Sequence, residues 1–165
     1  DWARSVANVR EVGRRAQDYG VDFCLEVLNR FEGYLLNTCE EAVRFVDEVG
    51  EKNVRVMLDT FHMNIEEDDL PAAFRRAGDL LAHVHVGEGN RKLPGMGHLP
   101  WAEIGKALRD IGYNGMVVTE PFMKAGGQIG RDIKVWRDLS GGADEATMDK
   151  YITDAMVFLR NNFEA

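Results

Sequence analysis

No run of apolar residues in this chain approaches the ~20 needed to cross a bilayer, and no basic-then-apolar leader opens it. A cytoplasmic protein is therefore expected. Cysteine is scarce: Cys24 sits in a β-prone apolar run and Cys39 opens a helix-like one, with no spacing that suggests a disulfide scaffold. Both thiols are expected to be reduced. A clustered Lys/Arg face is missing too, and 20 basic against 28 acidic residues leave a formal charge of −8. Such a field repels phosphate backbones, which excludes nucleic acid and anionic membranes as partners. An initiator methionine is also lacking, and Asp1 runs straight into a helical pattern. Residues 1–165 are expected to form a single domain that is a fragment of a longer barrel.

What is present is a soluble composition, 45% apolar and 29% charged, arranged in a regular alternation. Val6, Val9, Val12 and Ala16 recur at helical spacing, with Gly20 as terminator. The β-prone run VDFCLEVLN comes next, then a loop, then Thr38 with Glu41 three residues on, a capping box for a helix to about Val49. The pattern repeats with VRVMLDT, a helix near 70–78, LAHVHVGE, a helix from Pro100 to about Ile111, GMVVTEP, and a last helix from about Asp144 to Asn161. Strands alternating with helices predict a parallel sheet.

The strands are apolar until their C-terminal ends, where Glu26, Asp59, His85 and Glu120 stand. An open doubly wound sheet competes with a (β/α)8 barrel, but barrel active sites sit at strand C-termini, and that favours the barrel. Period-two alternation turns Cys24 and Glu26, Met57 and Asp59, His83 and His85, and Val118 and Glu120 inward. A full barrel has eight units and about 250 residues. The fold expected here is the C-terminal half: about four βα units preceded by a helix.

Three carboxylates and one imidazole crowded at one mouth repel each other unless a cation neutralises them, and oxygen-rich sets suit Mn²⁺, Mg²⁺ or Co²⁺ better than zinc. Each residue alone could be an isolated ion pair or cap. Matching positions on four successive strands argue for a metal or acid/base site. Glu32, His62 and Arg91 lie in loops leaving the strand ends, where binding groups gather. For His62 a backbone-satisfying role stays open, and for Arg91 a solvated one. Lys92 is expected to be solvated. His83, one layer deeper than His85, is expected to be a hydrogen-bonded core residue. The glycines around Gly95 and Gly97 read as a turn rather than a phosphate loop.

The segments LEVLNRFE, LDTFHMNIEE, HVHVGEGNR, GHLPW, TEPF and VWRDLSGGAD resemble the ketose 3-epimerases, the D-tagatose and D-psicose (allulose) 3-epimerase family within the xylose-isomerase-like barrels. The resemblance spans nearly the whole chain. It implies one divalent metal, Mn²⁺ first with Co²⁺ or Mg²⁺ as alternatives, held by Glu26, Asp59, His85 and Glu120. It implies that Glu26 and Glu120 are the catalytic pair, exchanging the C3 proton of a ketohexose through an enediolate. Glu32, His62 and Arg91 would contact the sugar, and the full-length enzyme would be a dimer or tetramer. Gly89 and Thr119 depart from the family pattern beside site residues and are expected to tune sugar preference.

Aldose/ketose isomerase or hydroxypyruvate isomerase activity on the same metal site is the runner-up chemistry. An inactive half-barrel that binds metal or self-associates through open sheet edges is the alternative of another class.

Overall fold

The computed structural model describes residues 1–164. Four strands, β1 (Phe23–Glu26), β2 (Val54–Asp59), β3 (Leu81–Val86) and β4 (Met116–Thr119), form one parallel sheet in chain order. Helices alternate with them: α1 (Trp2–Gln17), α2 (Cys39–Val49), α3 (Thr60–Glu66), α4 (Leu70–Ala77), α5 (Trp101–Asp110), α6 (Gly127–Asp132) and α7 (Glu145–Phe163). Helices α1, α2, α4, α5 and α7 stand side by side in that order, each touching the next. This is the βα-repeat architecture expected from the alternation.

Local chemistry explains where the helices start. Thr38 and Glu41 make the reciprocal capping box of α2. Asp69 caps α4, with Pro71 in the first turn, and Asp144 caps α7. Two short helices, α3 and α6, go beyond the sequence reading, because neither is long enough to show an apolar period. Helix α3 starts immediately at the end of β2, where the Asp59 side chain accepts from the amides of Phe61 and His62.

The sheet has two unlike faces. Val54, Val56, Leu58, Val84 and Val86 are buried beneath the helices, in a core completed by Phe45, Phe74 and Ile104. Arg55, Met57, His83 and His85 occupy the other face and are only half-buried. Inward parity therefore holds for β2 and β3. Arg55 is a polar exception at the foot of β2, where its guanidinium donates to the carbonyls of Asp79 and Leu81. A second, smaller cluster of Leu93, Met123 and Ala155 lies under the loops that leave β3 and β4. Those loops rest on packed side chains rather than on solvent.

Candidate metal centre

Parallel register brings the strand ends level. Asp59, the last residue of β2, pairs laterally with His85 near the end of β3, which pairs with Val118 of β4. Glu26 closes β1, and Glu120 comes directly after β4. Their side chains converge, and one donor atom from each of Glu26, Asp59, His85 and Glu120 lies within 4.8 Å of all the others. His85 Nδ1 stands 3.9 Å from Glu26 Oε1, 3.8 Å from Asp59 Oδ2 and 3.5 Å from Glu120 Oε2.

None of those separations is a hydrogen bond, and His85 Nδ1 is buried with no partner among the described residues. An imidazole nitrogen facing three carboxylate oxygens just beyond bonding reach is the spacing a cation needs. Donors at ~2.1 Å from a metal are roughly 3 to 4.2 Å from each other. The residues fit a divalent cation of the oxygen-preferring or borderline kind. Asp59 divides its labour: Oδ1 caps α3, 2.7 Å from the Phe61 amide, and Oδ2 faces His85. Burial, and then the neighbouring Asp59 carboxylate, raise the Glu26 pKa above the ordinary glutamate value, with Glu120 and Glu32 adding to the rise and His85 opposing it.

Sequence and site agree on the family of this architecture: the model of the xylose isomerase-like TIM barrel matches residues 1–139. The chain belongs to that family. Among curated proteins it is 61% identical over 160 residues to a D-psicose 3-epimerase of Ruminiclostridium cellulolyticum, a match covering 97% of this chain and 55% of that protein. A D-psicose 3-epimerase of Agrobacterium fabrum is 59% identical over 160 residues, again 97% of this chain and 55% of the relative. Among solved structures, a D-psicose 3-epimerase determined in the presence of D-fructose superposes with a TM-score of 0.98 at 57% identity, covering all of this chain and 57% of that one. The chain thus spans about half the length of the curated relatives it matches. The likeness to ketose 3-epimerases read from the motifs is borne out, as is a half-barrel of this TIM-barrel family.

The residues expected to line the barrel mouth form one network beside the metal cluster. His62 is 3% exposed, and its Nδ1 accepts from the Asn29 backbone amide at 3.1 Å, which leaves Nε2 to carry the proton. Burial pulls the His62 pKa below the usual imidazole range despite the Asp59 and Glu32 carboxylates nearby. Glu32 Oε1 accepts from Asn29 Nδ2 at 3.0 Å and from the Arg91 guanidinium at 2.8 Å. Arg91 is buried, not solvated: its guanidinium carbon lies 3.5 Å from the centre of the Phe61 ring and 5.1 Å from that of Phe122. Lys92 is half-buried rather than freely solvated.

One further expectation, for His83, is corrected. The His83 side chain makes no hydrogen bond among the described residues; half-buried, it stacks edge-on against His85 at 5.1 Å. At Gly89 a Cβ would meet the tip of the Asn64 side chain, 2.5 Å from its nitrogen, so that side chain would have to move to admit one. Two residues with structural weight escaped the sequence reading. Asn29 is 1% exposed and joins His62 to Glu32, and Glu88 is fully buried in the loop that carries Arg91. Both lie inside the quoted motifs, but no spacing rule marks Asn29, whose partner His62 is 33 positions away, or Glu88, whose partners lie 7 to 13 positions on.

Proposed function

We propose that this chain is the C-terminal half of a metal-dependent ketose 3-epimerase that interconverts D-psicose with D-fructose, and D-tagatose with D-sorbose. The carrying observation is that Glu26 and Glu120 reach the same point from β1 and β4, the two edges of the sheet, with Asp59 and His85 between them. A single base returns a proton to the face it left. Two carboxyls approaching from opposite sides can remove the C3 proton on one face and deliver another on the opposite face, which inverts the carbon.

In this reading one glutamate accepts the C3 proton as the electron pair moves toward the C2 carbonyl, giving an enediolate. The other, protonated, glutamate then donates to C3 from its own side. Glu26 and Glu120 exchange the donor and acceptor roles between the two directions of the reaction. A divalent cation bound at the cluster supplies Lewis-acid polarisation of the carbonyl, worth several kcal/mol of charge stabilisation. His62, as an Nε2 donor, and Arg91, braced by Glu32 and Phe61, hold the sugar oxygens in fixed places.

The reading takes Mn²⁺ as the ion, with Co²⁺ or Mg²⁺ as alternatives, and a cytoplasmic, homo-oligomeric full-length protein. No helix among the described residues is long and apolar enough to cross a membrane. The test is incubation of the full-length protein with D-fructose or D-psicose in D₂O, with Mn²⁺ or with EDTA, followed by chelation and NMR of the sugar. Metal-dependent deuterium at C3 with interconversion is expected. Deuterium at C1 instead would mean an aldose/ketose isomerase, and none at either carbon with metal bound would sink the assignment.

A further inference from the structure

Glu88 has an environment that the chemistry above does not use. It is fully buried, three residues beyond His85, and its carboxylate receives only neutral donors. Oε1 accepts from the Gly95 amide at 2.8 Å and the Trp101 indole at 2.7 Å; Oε2 accepts from the amides of His98 at 3.1 Å and Leu99 at 3.3 Å. No Lys or Arg pairs with it among the described residues. Gly97 passes so close that a Cβ would run into this carboxylate. The Trp101 ring in turn packs on Phe158 and Phe163 of α7. One side chain thus ties the exit of β3 to the start of α5 and, through Trp101, to α7.

The backbone of the same residue shapes the turn from Glu88 to Lys92. Glu88 donates its amide to the Lys92 carbonyl at 3.0 Å, and its carbonyl accepts from the Arg91 amide at 2.9 Å. This closed turn holds Arg91 at φ 65°, one of two non-glycine residues in the left-handed region among the described residues. From there the guanidinium lies over Phe61 and meets Glu32. A long, flexible side chain is aimed by its backbone, and this backbone is held by the loop that Glu88 anchors.

We propose that Glu88 is a positioning residue: its carboxylate fixes the 88–99 loop so that Arg91 is presented to the substrate in one orientation. The substrate role of Arg91 rests on the epimerase reading, whereas its placement by Glu88 is a property of the loop. Glu88→Gln keeps the shape but replaces one acceptor oxygen with an NH₂ that faces N–H donors. In full-length protein with Mn²⁺ it is expected to raise KM for D-psicose about tenfold with kcat within about threefold, and to leave Mn²⁺ affinity unchanged. Arg91→Ala is expected to raise KM as well, and the double variant to be no worse than Arg91→Ala alone. An unchanged KM in Glu88→Gln, or effects that multiply in the double variant, would overturn the assignment. If Glu88→Gln does not fold, Trp101→Phe, which removes one donor to the carboxylate, must still raise KM by a few-fold.

A readout independent of any sugar is phenylglyoxal labelling followed by mass spectrometry. Arg91, 6% exposed, is expected to label about ten times faster in Glu88→Gln, while Arg10, held by the carbonyls of Glu48 and Val49, keeps its rate. Equal acceleration of both arginines would mean general loosening and refute the positioning role. Wild-type protein without C3 exchange would defeat the epimerase reading alone, with the labelling still deciding the role of Glu88.

Discussion

Asp59→Asn separates the two jobs of one buried side chain. Asparagine keeps the acceptor that caps α3 but puts an NH₂ where Oδ2 now faces the metal cluster. Two carboxylates at the outer limit of 4.8 Å repel by about 3.5 kcal/mol at an effective dielectric of 20. In the metal-free protein Asp59 faces such repulsion from Glu26 and Glu120. The Glu26 and Glu120 side chains are 35% and 37% exposed, so solvent reduces its effect to about 1–2 kcal/mol. Asp59→Asn should therefore raise metal-free stability by about that amount, while weakening Mn²⁺ binding by at least ~100-fold through loss of a charged ligand. Asp59→Ala should lose the cap as well and fall about 1 kcal/mol below Asp59→Asn. Urea unfolding in EDTA and calorimetric Mn²⁺ titration measure both quantities. Unchanged Mn²⁺ affinity in Asp59→Asn, or a metal-free protein destabilised by more than the cap is worth, would refute the placement of Asp59 as a ligand.

Glu26→Gln and Glu120→Gln should each abolish C3 exchange, read as deuterium uptake by NMR; near-normal epimerisation in either would remove that residue from the proton path. Because the folded-state pKa of Glu26 is raised, its contribution to metal-free stability is fully present below the ordinary glutamate pKa and is lost as pH rises through the raised value. In EDTA, lowering the pH from neutrality toward that range should stabilise wild type more than Glu26→Gln; metal affinity should fall over the same interval, and parallel melting curves for the two proteins would contradict this. Burial pushes the Cys39 thiol up to about 12, so it should resist thiol reagents at pH 8 in the native state and react only on unfolding, with mass spectrometry locating the label.

The βα alternation was legible because each element carries its own signal: alternating faces in VRVMLDT, the capping box at Thr38 and Glu41, and polar residues at the end of each strand. Parallel strands in chain order then bring Glu26, Asp59, His85 and Glu120 to one end, so the convergence of these four side chains could be read from one dimension. Helix α3 could not, because seven residues started by the Asp59 cap contain too few turns to show a period.

Burial and partnership were decided by tertiary structure alone. For Arg91 the sequence leaves both a binding and a solvated role open, until Phe61 and Glu32, from 30 and 59 positions away, close over it. His83 reads as a hydrogen-bonded core residue until the packed structure leaves its side chain half-buried and without such a bond among the described residues. Asn29 and Glu88 look like loop polar residues, yet one joins His62 to Glu32 and the other anchors the loop bearing Arg91. Local sequence determines which elements form and which way their side chains face, because those choices depend on neighbours within a few residues. Which buried polar group meets which partner depends on contacts between distant segments, and only the packed structure brings those together.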